Sequence, residues 1–142
     1  MIDMNRKLPI LHGNQLDIPL FEKELTDKII GAAIEVHRAL GPGLLESAYQ
    51  VCMEHESKLQ KLPFESQVAI PLNYKGLALN AGYKIDLIYD KRVIVELKAV
   101  ETVLPVHEAQ LITYLKLTGI HVGLLINFNV PVLKNGIYRR VL

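Results

Sequence analysis

Asp86, Glu96 and Lys98 are the residues whose types and spacing could do chemistry, and all three fall within residues 82–100, G-Y-K-I-D-L-I-Y-D-K-R-V-I-V-E-L-K-A-V. Two apolar runs, 85–89 and 93–100, flank the polar turn Asp90-Lys91-Arg92, the pattern of a tight β-hairpin. Side chains alternate along a strand, so Val93, Val95 and Leu97 share one face, while Ile94, Glu96 and Lys98 share the other. A carboxylate and an ammonium therefore stand together in a strand that otherwise reads as core, where an unpaired charge is costly. Asp86, on the partner strand, brings a second carboxylate beside the first. These two acids and a strand carbonyl, that of Leu97, make a hard oxygen site suited to Mg²⁺, with Mn²⁺ as the alternative, because Mg²⁺ takes few protein ligands and keeps several waters. Lys98 beside such a site would position or help deprotonate an attacking water and offset charge on a phosphate.

The elements around this hairpin read as follows. Residues 1–21 hold Pro9, Pro19, Gly13 and Asn14 without a sustained period, which predicts an arm or leader tethered by Ile10, Leu11, Leu16 and Ile18. From Thr26, read as an N-cap, apolar residues recur at helical spacing up to Leu40, and Gly41-Pro42-Gly43 stops that helix. Residues 44–59 predict a second helix with Leu44, Leu45, Ala48, Val51, Cys52 and Leu59 as its apolar face. Residues 65–74 alternate as one strand and turn at Tyr74-Lys75-Gly76 into residues 77–79, giving an antiparallel meander with the hairpin. Pro105 is suited to open a third helix. The apolar run 121–127 is a buried strand reached by crossover, and 136–141 a short edge strand. The fold class is α/β: a mixed sheet with an antiparallel meander and a βαβ crossover, flanked by helices, as one domain over residues 22–142.

The order of residues carries a resemblance. Asp86, then Glu96-Leu97-Lys98 at the end of an apolar strand, resembles the active-site signature of the PD-(D/E)XK nuclease superfamily, with Ile85 where the named proline stands. Gly43-Leu44-Leu45-Glu46-Ser47-Ala48-Tyr49 matches the pattern that names the GxxExxY proteins, a branch of that superfamily. The resemblance implies a restriction-endonuclease-like core and Mg²⁺-dependent hydrolysis of DNA phosphodiester bonds, in DNA repair, defence or mobile-element processing. It makes Asp86 and Glu96 metal ligands with the Leu97 carbonyl, Lys98 the group beside the attacking water, and Glu46 an accessory acid at the metal. Gln110-x-x-x-Tyr114 resembles the Q-x-x-x-Y motif of RecB-like members, which implies that Gln110 orders Lys98 or the scissile phosphate and that Tyr114 contacts DNA or the acids.

Other candidates have bland alternatives. Tyr49 would bond a carboxylate or phosphate, or be a core tyrosine. Lys84 shares a face with Asp86 and would approach phosphate, or be a paired surface lysine. His107 lies on the polar stripe of the third helix with Gln110 and Tyr114, and would otherwise be helix surface. His37 reads as a helix-end or core histidine.

At 142 residues, 50% hydrophobic and 22% charged, the chain has the size and composition of one soluble domain. No apolar run approaches the roughly 20 residues that span a bilayer, and the single Cys52 excludes an internal disulfide and a cysteine zinc site, so a cytoplasmic protein is expected. The formal net charge of +1 does not announce a nucleic-acid binder, although Lys116, Lys134, Arg139 and Arg140 face no acidic residue from Ala109 onward. A homodimer would give so small a domain more surface for gripping duplex DNA. The alternative function is a non-cleaving nucleic-acid-binding or regulatory module with a nuclease-like fold.

Overall fold

The computed structural model describes residues 22–80 and 82–142, so the expected leader, residues 1–21, lies outside the described residues. Chain order is α1 (Lys23–Leu40), α2 (Glu46–Leu59), β1 (Phe64–Ala69), β2 (Leu72–Tyr74), β3 (Leu77–Leu79), β4 (Lys84–Tyr89), β5 (Val93–Lys98), α3 (Pro105–Thr118), β6 (Val122–Asn127), a 3₁₀ turn (Leu133–Gly136) and β7 (Ile137–Val141). A five-stranded sheet runs β1-β4-β5-β6-β7, and β2 with β3 forms a separate two-stranded ribbon. β1, β4 and β5 are antiparallel neighbours, α3 carries the chain across to β6 parallel to β5, and β7 returns antiparallel at the edge. This is the expected mixed sheet with its βαβ unit, and its antiparallel meander is β1-β4-β5, which leaves residues 77–79 outside it in the ribbon.

The β4–β5 hairpin closes through Asp90, Lys91 and Arg92; the Arg92 N–H donates to the Tyr89 carbonyl at 2.9 Å, and Asp90 and Lys91 both have positive φ (50° and 56°), which matches the turn to the strand twist. β6 is buried along its whole length because it has a strand on either side and helices on both faces. On one face α1 and α2 supply Ile29, Ala33, Tyr49 and Met53 against Leu87, Val95, Leu97 and Leu124. On the other, α3 lays Leu111, Ile112 and Leu115 over Ile85, Ile88, Ile94 and Leu125.

Three expectations are corrected. The run 65–74 is two strands, because Pro71 has no N–H for a ladder, and the N–H of Ile70 goes instead to the Tyr83 carbonyl at 3.0 Å. Thr26 is no N-cap: α1 begins at Lys23, and the Thr26 hydroxyl is buried, donating to the Lys23 carbonyl and accepting from Arg139. The apolar face expected of α2 is also misplaced. Leu45, Val51 and Leu59 are exposed, while Tyr49, Met53 and Ser57, at i, i+4 and i+8, turn inward. Tyr49 and Ser57 are tolerated there because their hydroxyls are bonded, Ser57 to the Tyr89 hydroxyl at 2.7 Å.

Candidate active site

The β4–β5 ladder pairs Tyr89 with Val93, Ile88 with Ile94 and Leu87 with Val95. One step further, Asp86 and Glu96 would be opposite each other, but there the carboxylates replace the ladder. The Asp86 N–H donates to Glu96 Oε2 at 2.8 Å, and the Leu97 N–H donates to Asp86 Oδ2 at 2.8 Å. Each acid thus clamps the other strand's backbone through one oxygen. The two carboxyls are also within hydrogen-bonding reach of each other, and Asp86 Oδ1 has a long contact of 3.4 Å from Gln67 Nε2. A strand residue's N–H and C=O leave on one side, so the Leu97 carbonyl points to the same opening as the N–H that Asp86 engages.

Local backbone prepares this opening. Ile85 and Ile88 both pack beneath α3, while Leu87 and Tyr89 pack under α1 and α2, so the alternation of β4 slips by one at Asp86. On β1, Gln67, which faces Asp86, has φ of 49°, the left-handed region that a residue with a side chain enters only under constraint. Strands that kink together in this way aim Asp86 at Glu96 instead of solvent.

Electrostatics follow from the crowding. Glu96 is only 4% exposed; burial first, then the Asp86 charge beside it, pushes its carboxyl up to about 8 despite the opposing pull of Lys98. Glu96 therefore holds its proton more readily than an exposed carboxyl does, because a buried negative charge beside that of Asp86 is costly. Lys98, half-buried, is the nearby cation.

Glu46 is the first residue of α2 and lies at the surface. Partial burial raises its carboxyl; Lys98 opposes that shift and Asp86 adds to it, which puts Glu46 within electrostatic reach of the site. It does not join Asp86 and Glu96 in a cage: among the described residues no three His, Cys, Asp or Glu side chains converge to hold an ion by themselves. Two carboxylates and a carbonyl beside them fit a hard ion that keeps most of its waters, and do not fit zinc.

α3 brings its polar stripe to the same end of the sheet. Tyr114 is buried, and its phenol is pushed up to about 12, chiefly by burial and then by the charges of Glu96 and Asp86. Gln110, half-buried, is one helical turn away on the wall of a groove it shares with Tyr114. His107 Nδ1 accepts the Leu104 N–H at 3.0 Å, closing the first turn of α3, and burial and the Lys98 charge hold its imidazole below the ordinary value. Lys84 is exposed at the start of β4, in register with Ala69, without a salt bridge among the described residues.

Tyr49 is not brought to the acids. Its ring is fully buried and stacks on Phe128 at 4.4 Å, and its hydroxyl donates to the Gly41 carbonyl at 2.6 Å while accepting the Leu44 N–H at 3.2 Å. Of the two roles open to it, it takes the core one, tying down the loop in which Gly43 adopts φ of 100°. Phe128 in turn donates its N–H to the Lys98 carbonyl at 2.9 Å, so this clamp reaches the end of β5. The C-terminal cations are likewise occupied: Arg140 is buried in an ion pair with Glu108, and Arg139 donates to Thr26 at 2.8 Å. Although no acidic residue follows Ala109 in the chain, these two cations find partners on other elements.

Sequence reasoning missed two glutamines. Gln50 Nε2 donates to the Asp86 carbonyl at 3.1 Å and to Glu54 at 2.9 Å, and Gln67 reaches the Asp86 carboxylate. Gln50 was discoverable, since it lies four residues after Glu46 on the same helix face. Gln67 carried no signal, because its place depends on the kink opposite Asp86. A model of the PD-(D/E)XK nuclease superfamily matches residues 23–141. No curated protein and no solved structure matches the chain significantly.

Proposed function

Because the chain belongs to the PD-(D/E)XK nuclease superfamily, we propose that it is a Mg²⁺-dependent deoxyribonuclease of the GxxExxY branch. The observation that carries this is the cross-clamped pair of Asp86 and Glu96 beside Lys98. Asp86, Glu96 and the Leu97 carbonyl would hold the ion, with Glu46 engaging it through water. The bound ion supplies Lewis-acid polarisation of the phosphoryl oxygen and an acidified water.

The chain's own residues do the rest. Lys98 holds the attacking water in line and offsets the negative charge that grows on the phosphate. Water adds to phosphorus, the bond to the leaving sugar oxygen breaks, and that oxygen is released as an alcohol after taking a proton from solvent. Gln110 orients Lys98 or the phosphate, and the Tyr114 hydroxyl, whose proton is held tightly beside two acids, stays a donor throughout. Lys84 and His107, at the two sides of the opening, contact flanking phosphates. Gly43-x-x-Glu46-x-x-Tyr49 then has a division of labour: a glycine for the turn, an acid at the site and a tyrosine that fixes the loop. Roles in DNA repair, defence or mobile-element processing all fit.

The test is cleavage of mixed single- and double-stranded DNA in Mg²⁺, with a chelator control, by the parent and by Lys98→Ala. The parent cuts only with metal, and the variant, still folded, loses cleavage by about 100-fold or more. Equal rates for the two proteins would remove Lys98 from the reaction.

A further inference from the structure

A groove of about 350 Å³ opens between α3 and the segment that carries Leu72 and Tyr83. Leu72 and Tyr83 form one wall; Val106, Gln110, Tyr114 and Leu117 form the other. None of the residues lining it carries a charge. Tyr83 is 45% exposed, Val106 64% and Leu117 47%, so a good part of this apolar surface faces water. Such a surface rejects a phosphate, which wants cations or N–H donors, and suits a flat, neutral, aromatic group. The groove adjoins the acid pair: Tyr83 stands three residues before Asp86, α3 packs over Ile85 and Ile94 beside the two acids, and Tyr114, which lines the groove, feels the charges of both. A group seated in it would lie next to a phosphate held at the acids.

We propose that this groove takes one unstacked nucleobase next to the scissile phosphate, packed against Tyr83, so that the substrate is single-stranded DNA or DNA unpaired at the cut. This deepens, and rests on, the nuclease reading. A base inside a duplex is covered on both faces by its neighbours and cannot enter a groove of this kind without leaving the stack. Stacking on a tyrosine gives affinity without sequence preference, since every base has a π-face. Gln110, on the α3 wall, can meet the edge of the base.

The experiment measures steady-state cleavage in Mg²⁺ of one labelled strand, of the same strand fully paired, and of strands with an abasic position scanned along the sequence. For the parent, pairing lowers kcat/KM by about ten-fold or more, and one abasic position next to the cut raises KM about ten-fold. Tyr83→Ala raises KM on the intact strand by a similar factor, is indifferent to that abasic position, and keeps the parent's unfolding temperature and its response to Mg²⁺; Tyr83→Phe behaves as the parent. The proposal is overturned if the duplex is cut as well as the single strand, if the abasic scan is flat, or if Tyr83→Ala cuts normally. It is equally overturned, in favour of a second copy of the chain, if Tyr83→Ala changes only self-association. A folded parent that is stabilised by Mg²⁺ yet cuts no strand defeats the nuclease reading itself, an outcome distinct from each of these.

Discussion

Glu96 is where the chemistry and the stability of the molecule meet. Its carboxyl titrates at about 8 in the fold, through burial and the Asp86 charge, while the unfolded chain releases that proton near pH 4.3, roughly the ordinary glutamate value. Between those values the folded state holds a proton the unfolded state has lost, so stability without metal is greatest below the lower value and falls as pH rises toward the upper one. Thermal unfolding in chelator from pH 5 to pH 8 should show a falling midpoint, and Glu96→Gln should flatten that slope. A metal competes with the same proton, so Mg²⁺ affinity should rise across the window. Tyr49 makes the opposite kind of prediction. Tyr49→Phe strands the Gly41 carbonyl and the Leu44 N–H, costing about 1–2 kcal/mol, and should lower the unfolding midpoint while leaving cleavage within a few-fold. Loss of cleavage at unchanged stability would instead put the hydroxyl on the substrate. At this scale the sequence exposed Asp86, Glu96 and Lys98 because charged residues in an apolar strand stand out. It could not separate Tyr49 from Tyr114, since two helical tyrosines differ only in which way tertiary packing turns them.

Among the elements, β5 and β6 do the positioning, and small residues let their ends come close. A Cβ on Gly136 would lie 2.2 Å from the Asn127 carbonyl oxygen, an approach that only glycine permits. Asn127, the last residue of β6, bridges both the N–H and the carbonyl of Val100, and the next residue, Phe128, bonds the Lys98 carbonyl. Gly136→Ala should therefore push the 3₁₀ turn off β6, destabilise the fold by about 1–3 kcal/mol in denaturant titration, and slow cleavage through the loosened end of β5. A stable variant with full activity would show that this end tolerates movement. The helix period was legible in α1, where one face is buried, and β5 and β6 were legible as apolar runs because both their faces are buried. The α2 face was not, because Leu45, Val51 and Leu59 have the right period for burial and Tyr49, Met53 and Ser57 were chosen instead. The break at Pro71 was visible in sequence as a missing donor; the kink shared by Gln67 and Asp86 was not, since it exists only between strands.

For the whole molecule, charge along the chain was a poor guide to charge in space. Arg139 and Arg140 follow a stretch without acids, yet they are bonded to Thr26 and Glu108 from other elements. Among the described residues no helix is long and apolar enough to cross a membrane. What organises the molecule is the end of the sheet where β4 and β5 part, with α2 supplying Glu46 and Gln50 from one side and α3 supplying Gln110 and Tyr114 from the other. The most direct measurement is thermal unfolding of the parent and of Asp86→Asn/Glu96→Gln across a Mg²⁺ titration, repeated with Mn²⁺. Metal held by these two acids stabilises the folded parent by mass action, about 2.7 kcal/mol at one hundred times the dissociation constant, and leaves the double variant unmoved. A parent that does not respond, or a double variant that responds equally, would contradict a metal site at Asp86 and Glu96.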